Sequence, residues 1–222
     1  MIKVLLCYKI DNTKRKKNVT WLEGIATMSH YFIEDESLKS EIKQFSYDFQ
    51  GKEFKFISDN GLFSKEHVDY ASSLLLNNMG KISGTLLDLG CGYGTIGIVL
   101  AGIYGVDVTF VDVNPKALKF TTKNCEINNV EAKCIQSDCF KNITGTYDNI
   151  VLNPPIHAGK DVIYEMYEKT YEYLSKGGSF FIVIQKKHGA ESSEKKLAEI
   201  FGECNTIYKK KGFYIFQCIR NN

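Results

Sequence analysis

The stretch TLLDLGCGYGTIG, Thr85–Gly97, restricts what this chain can fold into more than any other segment. Thr85–Leu89 is a short apolar run carrying one acid, Asp88, and reads as a buried parallel strand. Gly90, Gly92 and Gly94 come directly after it, and the spacing of Ile96, Ile98, Val99 and Leu100 then turns helical. A strand, a glycine turn and a helix N-terminus make a nucleotide cradle. Backbone without side chains approaches a ligand closely, and the free N–H groups of the first helical turn favour an anionic group. A second apolar run, Val106–Val111, ends at Asp112, 20 positions after Gly92, the spacing at which an acid on the second strand meets ribose hydroxyls. Asp88 separates this turn from the dinucleotide fingerprint, because a carboxylate just before the first glycine repels a pyrophosphate and suits an amine-bearing ligand.

From Thr85 onward the periodicity alternates between strand and helix. Strands are expected near 85–89, 106–112, 131–136, 147–152, 178–184, 203–209 and 212–218, and helices near 94–104, 115–128, 160–175 and 189–201. Pro115 suits the first turn of its helix. Only the short turn Lys210–Gly212 separates the last two strands, so they form an antiparallel hairpin rather than a crossover. Upstream, Lys43–Phe49 and Glu53–Ser58 alternate aromatic and polar residues around Gly51, a β-hairpin signal. Ser64–Met79 then reads as a helix with Ser64 as its cap. The fold class implied is α/β: a seven-stranded, mostly parallel, doubly wound sheet with a C-terminal antiparallel hairpin, preceded by a small β-hairpin extension.

The 222 residues divide into three parts. Residues 1–27 fit poorly with the rest of the chain, and Met28–Phe32 looks like a fresh beginning, so the first part is expected to be a mis-called extension or a loosely ordered arm; the alternative is a first strand, Ile2–Tyr8, covering a sheet edge. Residues 28–80 hold the hairpin and its helix, and 81–222 the nucleotide-binding core. A formal net charge of +2 leaves a nucleic-acid partner open through local basic patches without requiring one. Seven scattered Cys with no CxxC pair imply reduced thiols and a cytoplasmic location. No apolar run approaches the ~18 residues of a membrane span, and the four His are too dispersed for a metal site. Oligomeric state is left open.

The second chemical motif is Asn153-Pro154-Pro155-Ile156-His157-Ala158-Gly159, directly after the apolar run Asn149–Leu152. Two prolines fix the backbone as it leaves the sheet at its carboxyl edge, where open α/β sheets bind ligands. An exocyclic amine is a poor nucleophile because its lone pair is conjugated into the ring. The Asn153 side-chain oxygen and the Pro154 carbonyl can accept its two hydrogens and aim that lone pair. His157 either faces a substrate or braces the loop, and the clusters Lys186-Lys187-His188 and Lys209–Lys211 are either solvated surface or phosphate contacts.

The glycine turn resembles motif I of the class I S-adenosylmethionine (SAM) methyltransferases, and Asn-Pro-Pro resembles motif IV of those that modify amines. Together with His30–Phe32 (HYF), Gly61–Ser64 (GLFS) and Asp69, the chain resembles, from about Met28 to Cys218, the small-subunit ribosomal RNA guanine-N2 methyltransferases of the RsmC type. The resemblance implies methyl transfer from SAM to a guanine N2 in 16S rRNA, with ribosomal RNA or the small subunit as partner. It implies cofactor contacts from Asp88, Gly90, Gly92, Gly94, Asp112, Asn153 and Asp138, the last toward adenine, with Cys139 or Phe140 near the ring. Asn153, Pro154 and Pro155 would be catalytic, and Phe63, Ile156, His157, Lys186 and Lys187 would meet the substrate. Two departures stand out: some members have tandem methyltransferase-like domains where this chain has one, and an aromatic residue often occupies the place of Ile156. The alternatives are a glutamine-amide protein methyltransferase and a non-catalytic SAM-binding module in ribosome assembly.

Overall fold

The computed structural model of the protein describes residues 41–60, 62, 67–155 and 158–221, all within the unit Glu34–Asn222. The expected N-terminal arm, the candidate strand Ile2–Tyr8 and the HYF segment lie outside the described residues. Strands β1 (Lys43–Phe49) and β2 (Lys52–Ser58) form an antiparallel hairpin. Its two-residue turn, Gln50-Gly51, has φ of 51° and 80°, the paired positive values that match the twist of the flanking strands.

The main sheet has seven strands: β3 (Thr85–Leu89), β4 (Asp107–Asp112), β5 (Ala132–Gln136), β6 (Tyr147–Leu152), β7 (Leu174–Gln185), β8 (Asn205–Lys210) and β9 (Phe213–Ile219). Their order is β5-β4-β3-β6-β7-β9-β8. The first five run parallel, and β9 is antiparallel to both β7 and β8. This is the fold that the sequence implied, including its C-terminal hairpin. Helices α1 (Tyr70–Asn78), α2 (Thr95–Tyr104) and α3 (Pro115–Asn128) bury Leu75, Ile98 and Phe120 in one core cluster. On the other face α4 (Lys160–Tyr173) and α5 (Ala190–Phe201) bury Tyr167, Leu197 and Phe201 in a second. Gly97 marks the tightest seam: a Cβ there would stand 2.4 Å from the Phe110 ring, so α2 lies closer to the sheet than any side chain permits.

One helix differs from expectation. α1 begins at Tyr70 rather than near 64, and its cap is Asp69, whose carboxylate accepts from the N–H groups of Ala71 at 2.9 Å and Ser72 at 3.1 Å. An acidic Ncap satisfies two orphan donors at once and fixes the start there; Ser64 lies outside the described residues.

The hairpin is mounted on α3 by two asparagines one turn apart. Asn124 accepts from Ile57 N–H at 2.8 Å and donates to Ile57 C=O at 3.0 Å and to Tyr93 C=O at 2.9 Å. Asn128 accepts from Lys55 N–H at 2.9 Å and donates to its C=O at 2.7 Å. Positions i and i+4 of a helix face one way, as do positions i and i+2 of a strand, so α3 hydrogen-bonds β2 in place of a third strand. A buried ion pair between Lys116 and Asp59, 2.9 Å, fastens the end of β2 to the start of α3. Asn124 is fully buried, so Asn124→Ala leaves several backbone groups unpaired and is expected to lower unfolding free energy by about 2–4 kcal/mol. Asn128→Ala is expected to cost less than about 1 kcal/mol in the same urea titration, because water replaces its bonds.

Candidate active site

Strand register lays the candidate residues along the carboxyl edge of the sheet. Leu89 pairs with Val111 on one side and Leu152 on the other, so the residues after them, Gly90, Asp112 and Asn153, leave adjacent strands side by side. Asp112 pairs with Gln136, the last residue of β5, so Asp138 follows the end of the next strand outward, and Lys186 comes after Gln185 at the end of β7. The strand order reverses between β3 and β6, and the crevice at such a switch point is where open α/β sheets take ligands. Gly90 and Asn153 flank it.

The glycine turn is shaped by backbone bonds. Gly90 and Cys91 N–H both donate to Val111 C=O, at 2.8 and 3.0 Å. Gly90 and Gly92 have φ of 69° and 58°, and among the described residues nothing lies within 4 Å of a Cβ placed on either, so this rim is bare backbone. Gly94, at φ 90°, is closed from below, where a Cβ would meet Thr121 at 2.8 Å. Thr121 also donates to Gly92 C=O at 2.8 Å. Cys91 is buried, and burial beside Asp112 and Asp88 raises its thiol pKa well above the usual value, which makes it packing rather than a nucleophile.

The two acids have different surroundings. Asp112 accepts from Gly92 N–H at 2.9 Å and Asn114 N–H at 2.9 Å, and desolvation raises its pKa against those bonds. Asp88 is 2% exposed and accepts from Gly97 N–H at 2.8 Å. Desolvation pushes its pKa up to about 7, opposed by the Gly97 bond and reinforced by the charge of Asp112. Two carboxylates raised by burial at one rim create a site that a cationic ligand group relieves.

Asn153 is held by the start of α1. Its Nδ2 lies 3.1 Å from Ser72 Oγ and 3.4 Å from Asp69 Oδ1. A carboxylate only accepts, so Asp69 requires the NH₂ end of the amide on its side and dictates which end is the oxygen. Among the described residues no donor reaches Asn153 Oδ1 or the Pro154 carbonyl. Pro154 is buried and Pro155 half-buried, with Ala158 N–H closing the loop onto Pro155 C=O at 2.8 Å.

The remaining expected residues are dispersed. Asp138 is exposed and ion-paired with Lys141. Phe140 is buried and stacked on Tyr173 at 4.5 Å, and Cys139, next to Phe140 in the chain, is half-buried at φ 50°. Lys186 and Lys187 are exposed on a short 3₁₀ turn, Lys186–His188, with Lys186 3.3 Å from Glu191. Phe63, Ile156 and His157 lie outside the described residues. Sequence reasoning did not find the Asp69–Ser72 hold on Asn153; an acid followed by the apolar helix run was its available signal.

With this geometry in view, the chain was compared with known proteins. The family described as Methyltransferase small domain matches residues 53–217. An uncharacterized protein of Bacillus subtilis, YbxB, is 42% identical over 194 residues, covering 85% of this chain and 96% of its own. Ribosomal RNA small subunit methyltransferase C of Shewanella amazonensis is 34% identical across 70% of this chain and 46% of its own length. Among solved structures, the T. thermophilus 16S rRNA N2 methyltransferase (RsmC), in complex with AdoMet and guanosine, superposes with a TM-score of 0.75 at 31% identity, over 82% of this chain and 52% of that one. The chain thus spans about half the length of the methyltransferases that it matches.

Asp88 gives the ligand-free protein a pH signature. Its folded pKa, about 7, lies above the unfolded value of 3.8, so the folded state binds the extra proton. Its contribution to stability is greatest below the unfolded pKa and falls as pH rises toward 7, by up to a few kcal/mol. In urea titrations at pH 5 and pH 8, Asp88→Asn is expected to be progressively stabilised relative to wild type at the higher pH.

Proposed function

This chain belongs to the methyltransferase small domain family, and we propose that it transfers a methyl group from SAM to the N2 amine of a guanine in small-subunit ribosomal RNA. The observation that carries this reading is the Asn153 amide, oriented by Asp69 and Ser72 beside the glycine cradle. The names and sequences of the RsmC relatives support the choice of guanine and of rRNA.

The open rim at Gly90 and Gly92, with Asp112 beside it and Asp88 beneath, fits an adenosyl ligand that carries an ammonium group. SAM, when bound there, supplies an electrophilic methyl group on sulfur. Asp112 would take the ribose hydroxyls, the Gly90–Gly94 backbone would line the methionine end, and Asp138 would reach the adenine edge after releasing Lys141. Asn153 Oδ1 and the Pro154 carbonyl accept the two hydrogens of the guanine amine, which draws its nitrogen toward tetrahedral geometry. Pro154 has no N–H, so no donor of its own competes at that position. The proton leaves to solvent after the carbon–nitrogen bond forms, and the chain needs no strong general base. Watson–Crick pairing takes one of the two amine hydrogens, so the substrate guanine must be unpaired or extruded for both to be accepted, with Phe63, Ile156 and His157 as candidates for contact and Lys186 and Lys187 for phosphate.

Loss of a positioning amide acts on turnover more than on cofactor affinity. Asn153→Ala is expected to lower kcat by at least ~100-fold while leaving the SAM dissociation constant within ~3-fold. Asp69→Asn keeps a helix cap but no longer dictates the amide orientation, and a kcat loss of ~10-fold with an unchanged melting temperature is expected. The substrate itself is checked by transfer of labelled methyl groups to 30S subunits, 50S subunits, free rRNA and a protein extract. The expected product is N2-methylguanosine in 16S rRNA, absent with Asn153→Ala; label in protein alone would overturn the RNA substrate in favour of a protein.

A further inference from the structure

Asp69 holds Asn153, and the next residue, Tyr70, is 49% exposed, the second most exposed large hydrophobic side chain among the described residues. Its ring meets Phe213 edge to face, with centroids 5.1 Å apart. Phe213 opens β9 and lines a cavity of about 630 Å³ together with Gln185, Lys186, Lys187, Lys211 and Gly212. The two walls of that cavity are tied by the Lys186 N–H bond to Gly212 C=O, 2.8 Å. Lys210 pairs with Phe213 in register, so both side chains stand on one face of the sheet. Tyr70, next in the chain to the Asp69 that holds Asn153, thus leads through Phe213 to four lysines, two on the turn after β7 and two where β8 turns into β9.

We propose that Tyr70 and Phe213 form a stacking platform for a nucleotide flanking the target guanine, and that Lys186, Lys187, Lys210 and Lys211 hold the phosphates of the strand leading away from it. The partner is single-stranded RNA. An exposed tyrosine braced by a phenylalanine offers a π-face to any base. Only Glu191, at Lys186, opposes the four positive charges among the ion pairs of the described residues. An apolar wall with a cationic rim suits a polymer in which flat rings and phosphates alternate at every residue, a regularity that an acidic protein surface lacks. This surface deepens the rRNA methylation reading and rests on it for the identity of the strand.

The test uses the full chain with SAM and a labelled single-stranded RNA of about 12 nucleotides. Tyr70→Ala is expected to weaken RNA binding by roughly 5- to 100-fold, with Tyr70→Phe within about 2-fold of wild type. The double variant Lys187→Gln, Lys211→Gln is expected to reduce the slope of log affinity against log salt by about 1.4, at roughly 0.7 per phosphate for single strands. SAM affinity and melting temperature serve as controls of folding. Tyr70→Ala binding RNA as tightly as wild type overturns the platform, as does polyglutamate competing as well as RNA for wild type and Tyr70→Ala alike. Tyr70-dependent binding in a wild-type protein that methylates no rRNA supports the platform and overturns the function proposed above.

Discussion

The buried side-chain amide of Asn124 is the bond on which the candidate site's shape depends. It joins two elements far apart in the sequence: the inner strand of the hairpin, through both backbone groups of Ile57, and the glycine turn, through Tyr93 C=O. The Tyr93 ring is then gripped by Phe45 and Phe56 of the hairpin, at 5.9 and 6.1 Å between centroids. One turn before Asn124, Thr121 supports Gly92 and Gly94 from below. α3 is thus a rack on which the bare backbone loop is stretched, and the hairpin is the clamp that presses it down. A glycine-rich loop is entropically expensive to order, and this arrangement orders it without placing a side chain of the described residues within 4 Å of a Cβ built on Gly90 or Gly92.

The strand order does the rest of the positioning. Adjacent strands stand about 4.8 Å apart, so the sequence β5-β4-β3-β6-β7 sets a fixed lateral order of Asp138, Asp112, Gly90, Asn153 and Lys186. Charge changes along this row from acidic at one end to basic at the other. Under the proposed function, a cofactor with a cationic centre and a polyanionic substrate would approach from opposite sides and meet at the reversal of strand order, where the amide stands. The fold, rather than any single contact, enforces that division.

Much of this was legible in the sequence because it depends on local pattern. Thr85–Leu89, Pro115–Asn128 and Tyr147–Leu152 are bounded by glycine, proline or acid at their ends, and those signals located them to the residue. The start of α1 was misjudged because Ser64 and Asp69 are both competent cap residue types, and the tertiary contact of Asp69 to Asn153 leaves no local mark in the sequence. The roles of Asn124, Asn128 and Tyr70 were not legible at all. A polar residue within a helix and an exposed tyrosine at a helix start have no local signature; their partners lie 67, 73 and more than 140 positions away.

Those separations also bear on how the chain is made. Synthesis proceeds from the N-terminus at about 5–20 residues per second, so β2 leaves the ribosome several seconds before the asparagines that complete its edge. During that interval the hairpin has its turn and its aromatic pairs but neither a core face nor a third row of bonds, and a lone hairpin is marginal in water. Its strands begin with Lys43 and Lys52 and carry Lys55 on the unguarded side, charges that keep a waiting edge from pairing with another nascent chain. The amides of α3 therefore do late in synthesis what those lysines do early: they keep the edge of β2 from acquiring a wrong partner.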